Sequence, residues 1–96
     1  MPQVRFSGEA EEDIDRIAAY TTNTWGPRQT DQYLATLEDG FDLLAQNPAM
    51  GRPCDSIRAG LRRFEIGRHV VFYLVESGGV LVVRVLHQQM LPANYV

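Results

Sequence analysis

His69-Val-Val-Phe-Tyr-Leu-Val75 and Val80-Leu-Val-Val-Arg-Val-Leu86, joined through Ser77-Gly78-Gly79, decide the fold of this chain. Both runs are short, rich in β-branched and aromatic residues, and bounded by glycine, which reads as two strands of a hairpin. Arg84 interrupts the second run and His87 closes it. A guanidinium inside so apolar a strand is costly to desolvate without a partner. Its placement implies a sheet with one polar face, satisfied either by an internal carboxylate or by a bound partner.

Working back toward the N-terminus, Leu61-Arg-Arg-Phe-Glu-Ile66 alternates as a third strand. Arg62, Phe64 and Ile66 share one face, with Leu61, Arg63 and Glu65 on the other. Gly67-Arg68 turns it into the 69–75 strand, so the three form an antiparallel meander. The stretch 48–60 holds two prolines and two glycines and reads as a surface loop. Before it, two segments carry helical periodicity. Ser7 is an N-cap for a helix over 7–24, followed by acids at Glu9, Glu11, Glu12 and Asp13, where the helix dipole favours negative charge. Ala10, Ile14, Ile17 and Ala18 form its apolar stripe, continued by Thr21 and Trp25, and Glu12 and Arg16 form an i,i+4 pair. Gly26-Pro27 ends it and starts a second helix over 27–46, with Tyr33, Leu34, Leu37, Phe41, Leu44 and Ala45 inward. Gly40 inside that helix implies close approach of the first helix. Gln3-Val-Arg-Phe6 is a short strand that adds at a sheet edge, with its direction left open. The order is β-α-α-β-β-β in one domain over residues 1–96, an α+β fold of two layers with the helical hairpin on a mainly antiparallel sheet.

Composition narrows the function. The chain has 96 residues and a net charge of −3, but residues 1–48 carry nine acids against three arginines and residues 49–96 three acids against six. All nine basic residues are arginine, the side chain suited to bidentate pairing with carboxylate or phosphate. The C-terminal half therefore faces either an acidic macromolecule or the chain's own acidic helices. No apolar stretch approaches the roughly 20 residues of a membrane span, and no signal-peptide pattern opens the chain. The single cysteine, Cys54, fits a reducing cytoplasm. His69, His87 and Cys54 lack clustered ligand spacing, so no metal and no cofactor is expected. The cluster with chemical potential is basic: Arg62, Arg63, Arg68, His69, Arg84 and His87, with Arg62 and Arg84 expected on adjacent strands and Glu65 as a possible base. The tail after His87 keeps Met90, Leu91, Tyr95 and Val96, which either dock on the core or form a binding strip.

Several segments in this order resemble the ParE branch of the RelE/ParE toxins of bacterial toxin–antitoxin modules. They are Phe6-Ser7 before an acidic helix, Tyr20, Trp25-Gly26, Asn47-Pro48-Ala49-Met50-Gly51 and Arg58-Ala59-Gly60-Leu61-Arg62-Arg63. His69-Val70-Val71-Phe72-Tyr73 and Arg84-Val85-Leu86-His87-Gln88-Gln89-Met90 complete the set. The resemblance implies a cytoplasmic, non-enzymatic toxin that inhibits DNA gyrase and blocks replication. It also implies neutralisation by a ParD-like antitoxin, which alone carries operator binding. RelE-like relatives instead cut mRNA on the ribosome, and in that reading Arg62, Arg84 and His87 are the catalytic set. A third reading is an inactive, toxin-shaped co-repressor module. The absence of lysine and the net acidity disfavour the ribosomal reading. Effector-surface candidates are Arg62, Arg63, Arg68, His69, Arg84, His87 and Met90, and antitoxin-binding candidates are Tyr33, Leu37, Phe41, Phe72 and Tyr73.

Overall fold

The computed structural model describes residues 2–96. Strand β1 (Gln3–Phe6) leads into helices α1 (Gly8–Trp25) and α2 (Pro27–Gln46). A 3₁₀ turn over Pro48–Met50 precedes β2 (Arg52–Pro53), β3 (Arg62–Ile66), β4 (His69–Glu76) and β5 (Gly79–His87), and a second 3₁₀ turn spans Pro92–Asn94. The sheet order is β1-β5-β4-β3-β2. The direction of β1 is settled: it runs parallel to β5, with Gln3 opposite Gly79 and Phe6 opposite Val82. All other pairings are antiparallel. The two-residue β2 lies inside the stretch expected to be loop and pairs through Arg52–Arg63 and Pro53–Arg62. Two residues between prolines and glycines carry no periodicity that marks a strand. Among the described residues, no helix is long and apolar enough to cross a membrane.

The helical hairpin covers one sheet face. Ala10, Ile17, Leu37, Phe41, Leu44 and Ala45 bury against Ile66, Val71, Tyr73, Val80, Val82 and Val85. The opposite face is not polar, contrary to the expectation from Arg84. Leu61, Val70, Phe72, Val83 and Leu86 are buried there with Cys54, under Ile57 from the loop and Met90 and Val96 from the tail. A sheet covered on both faces needs apolar residues at every position of its central strands, which is why β4 and β5 read as nearly unbroken hydrophobic runs. The tail thus docks through Met90 and Val96, while Leu91 and Tyr95 stay exposed.

Two glycines mark close approaches. A Cβ on Gly79 would collide with the backbone of Gln3, so this glycine lets β1 enter beside the hairpin. Gly40 is explained by β3 and not by α1: its missing Cβ is the space taken by the Ile66 side chain.

Arg84 finds its partner inside the chain. β1 stops at Phe6 opposite Val82, which leaves the rest of β5 with a bare edge. The start of α1 finishes that edge. Ser7 N–H donates to the Val82 carbonyl (2.9 Å) and Ser7 Oγ to the Val83 carbonyl (2.8 Å). The same Oγ accepts from Ala10 N–H (3.0 Å) as the helix N-cap. One turn later Asp13 accepts the Val85 N–H (2.9 Å) and, bidentately, Arg84 Nε (2.8 Å) and Nη2 (2.9 Å). A register shift between Phe72 and Tyr73 leaves Val83 without a partner on β4, and such a bulge bends and re-aims the strand carrying it. Arg84 Nη1 donates to the Tyr95 carbonyl of the tail (2.9 Å). Burial works to raise the Asp13 pKa, but the bonds from Arg84, Val85 and Arg16 outweigh it and hold the carboxyl below its ordinary 3.8. Arg16 pairs with this same Asp13 (2.6 Å), in place of the expected Glu12.

Asp13→Ala takes its bidentate partner from buried Arg84, Arg84→Met leaves Asp13 paired only with the exposed Arg16, and each lowers unfolding free energy in urea by about 3–5 kcal/mol, while the double variant loses much less than the sum. Because the folded pKa of Asp13 is depressed, its contribution is fully present above pH 3.8 and disappears as pH falls through the folded value; Asp13→Asn flattens that acid limb. Separately, Gly40→Ala destabilises by about 1–3 kcal/mol through overpacking, despite the better helix propensity of alanine, and adding Ile66→Val recovers part of the loss.

Candidate binding grooves

The expected basic cluster is dispersed by the strand order. Arg62 and Arg84 are not on adjacent strands, since β4 lies between β3 and β5. Arg62 is opposite Tyr73, which is opposite Val82; His87 lies five residues further along β5, roughly 16 Å at strand rise. Arg62 Nη1 is held by the carbonyls of Gly51 (2.6 Å) and Ala49 (3.3 Å), so it braces the 3₁₀ turn. The Arg63 guanidinium stacks over the Phe72 ring at 5.6 Å, and its Nε is buried without a hydrogen-bond partner among the described residues. Arg84 is taken by Asp13. Glu65 pairs with Arg52 at the sheet edge (2.8 Å). Arg62, Arg84 and His87 therefore do not converge on a common point.

A different set does converge. Where α1 and α2 pass the open end of the β4–β5 pair, a groove of about 820 Å³ is lined by Tyr20, Trp25, Tyr33, Arg68, His69, His87 and Met90, with Arg16 and Asp13 on its wall. Strand pairing sets His69 directly opposite His87, with ring centroids 5.5 Å apart and nearly perpendicular. His69 Nδ1 is hydrogen-bonded to Tyr33 Oη, which also accepts the Arg68 N–H (3.1 Å). Burial, reinforced by neighbouring His87, pushes the His69 pKa down to about 4, so its imidazole is neutral at pH 7. Burial likewise pushes the Tyr33 phenol up from 10.0. Neither group is poised for proton transfer near neutrality, where general acid–base catalysis works best. Tyr20 and Trp25 are 69% and 57% exposed. Trp25 continues the apolar stripe by spacing, but at the last position of α1 it lines the groove and not the core.

Of the expected effector residues, Arg68, His69, His87 and Met90 line this groove, and Arg62, Arg63 and Arg84 do not. Among the antitoxin candidates only Tyr33 lines it. Phe72 and Tyr73 are buried at 1% and 0% exposure on opposite faces of β4 and belong to the core, a correction to their reading as contact residues. Leu37 and Phe41 are also buried, but they form the floor of a second groove of about 520 Å³ walled by Val4, Phe6, Leu34, Glu38 and Asp42. The sequence missed Tyr20, Trp25 and Asp13 as elements of a site. An aromatic off the apolar stripe was the available signal for Tyr20, whereas Trp25 continues the stripe and is exposed by its place at the end of α1.

Residues 4–92 match the family model for the ParE toxin of the type II toxin–antitoxin system parDE. The chain is 41% identical over 90 residues to Toxin ParE1 of Caulobacter vibrioides, covering 94% of this chain and 93% of that protein. It is 44% identical over 86 residues to Toxin ParE1 of Mycobacterium tuberculosis, covering 88% of each. A solved chain of the chromosomal ParDE TA system from P. aeruginosa matches with a TM-score of 0.77 at 19% identity, covering 91% of this chain and 96% of that one, and shares its fold. The chain belongs to the ParE toxin family of type II toxin–antitoxin systems.

Proposed function

We propose that this toxin inhibits DNA gyrase by binding, and that a ParD-like antitoxin neutralises it. The observation that carries the reading is the division of the basic residues. Arg62 and Arg84, two members of the alternative nuclease set, are committed to internal carbonyl and carboxylate partners, while Arg68, His87 and Met90 edge an open aromatic groove. That groove offers contact chemistry, with aromatic faces, a guanidinium and a thioether, all favoured at protein interfaces. The family match over residues 4–92 supports the same reading. The cleaved gyrase–DNA complex is then the state the toxin stabilises, and operator DNA is reached only through the antitoxin.

The two grooves divide the partners. The hairpin-side groove floored by Leu37 and Phe41 and rimmed by Glu38 and Asp42 takes an apolar antitoxin segment with basic flanks. The groove edged by Arg68, His87 and Met90 is the effector surface.

In a supercoiling assay with gyrase from the same organism, the purified toxin inhibits supercoiling or accumulates cleaved DNA, and Arg68→Glu weakens this by at least about tenfold with antitoxin affinity retained. Leu34→Asp weakens antitoxin binding in calorimetry and leaves gyrase inhibition intact. Unimpaired supercoiling at large toxin excess, together with discrete cuts in translated mRNA by primer extension, would replace this reading with the nuclease one.

A further inference from the structure

We propose that His69 and His87 form a two-imidazole site for a borderline divalent metal ion, Cu²⁺, Ni²⁺ or Zn²⁺. The gyrase reading neither requires nor supplies such a site. No cluster of three or more His, Cys, Asp or Glu side chains occurs among the described residues, so the site is a chelate of two ligands with its remaining positions open to water in the groove.

The pairing geometry carries the inference. Gln88 N–H donates to the Arg68 carbonyl (3.0 Å), and that bond frames His69 and His87 as a non-hydrogen-bonded antiparallel pair, the kind whose side chains stand closest. Two imidazoles bound to one tetrahedral ion, with metal–nitrogen bonds of about 2.0–2.1 Å, have centroids about 5.2 Å apart. The observed separation is 5.5 Å and the rings are nearly perpendicular. Strand pairing therefore holds the ring centroids close to the separation of a two-imidazole chelate, and both residues line a groove of about 820 Å³ that admits the ion and its waters.

The surroundings of His69 match those of a metal ligand. Ligating histidines are oriented by a bond from the ring nitrogen not facing the metal, and here Nδ1 lies against Tyr33 Oη. With the ion on Nε2, the Nδ1 proton is given to Tyr33 Oη, which turns its own hydrogen to the Ile66 carbonyl (3.4 Å) and keeps the Arg68 N–H. His87 pays more. Its Nδ1 accepts the Gln89 N–H (3.2 Å), so coordination through Nε2 moves a proton to Nδ1 and releases that exposed amide to water. Arg68 and Arg16 on the groove wall oppose a dication, although Arg16 is paired with Asp13. These costs favour the ion with the strongest imidazole bonds, so affinity ranks Cu²⁺ first.

The test uses the full chain without an affinity tag, titrated with CuCl₂, NiCl₂ or ZnCl₂ at pH 7.5. One equivalent binds in calorimetry, the copper spectrum shows two imidazole nitrogens by electron paramagnetic resonance, and thermal midpoint rises with added NiCl₂ because the ion binds the native state. His87→Gln, at a half-buried strand end, weakens binding by at least about tenfold and abolishes the midpoint rise. Cys54→Ser leaves both unchanged. Binding that is equally tight in His87→Gln, a copper spectrum with one imidazole nitrogen, or binding that moves with Cys54→Ser would each overturn the proposal.

Discussion

Asp13 joins three parts of the chain: helix α1, the bare edge of β5 and, through Arg84, the tail. Its carboxylate takes the Val85 amide at the bare edge of β5 and both forks of Arg84, and Arg84 in turn holds the tail at the Tyr95 carbonyl. A buried ion pair on its own is weak evidence for stability, because desolvation offsets the Coulomb gain. Its value here is in what it specifies. β1 is four residues long and ends at Phe6, and something must satisfy the amides and carbonyls of β5 beyond that point. Ser7 and Asp13 do so from a helix, which fixes the axial position of α1 on the sheet. Hydrophobic contacts are nondirectional and do not set that position.

This arrangement also separates the surface into two kinds of territory. On the sheet side, arginines that look available in the sequence are bound internally: Arg84 to Asp13, Arg62 to the carbonyls of the 3₁₀ turn, and Arg52 to Glu65. At the open end of β4 and β5, Arg68 and the two histidines stand beside exposed Tyr20 and Trp25. On the far side of the hairpin, Glu38 and Asp42 rim a groove with an apolar floor. A charge split between the two halves of the sequence thus becomes a split between two grooves, once the internal pairs are removed.

The elements were legible because each has a local cause. Ser7 caps α1, Pro27 starts α2, Asn47-Pro48 ends it, and Gly78-Gly79 closes the hairpin. The features that were not legible depend on residues far apart in the chain. The parallel pairing of β1 with β5 spans 76 positions between Gln3 and Gly79. The burial of the second sheet face depends on a loop and a tail that carry no periodicity. Gly40 answers to Ile66, and Arg62 and Arg84 are kept apart by β4, the central strand of the meander itself. His69 and His87 carry no clustered ligand spacing in the sequence, and it is the register of β4 on β5 that makes them neighbours.

The pairing of β1 with β5 also orders events in time. During synthesis the first strand leaves the ribosome with its partner still untranslated, and the sheet cannot close until Gly79–His87 has emerged. The meander and the helical hairpin have only near neighbours to find, but the first strand joins them only once β5 is made. A chain cut short before β5 therefore lacks the partner of β1 and the groove wall that His87 and Met90 supply.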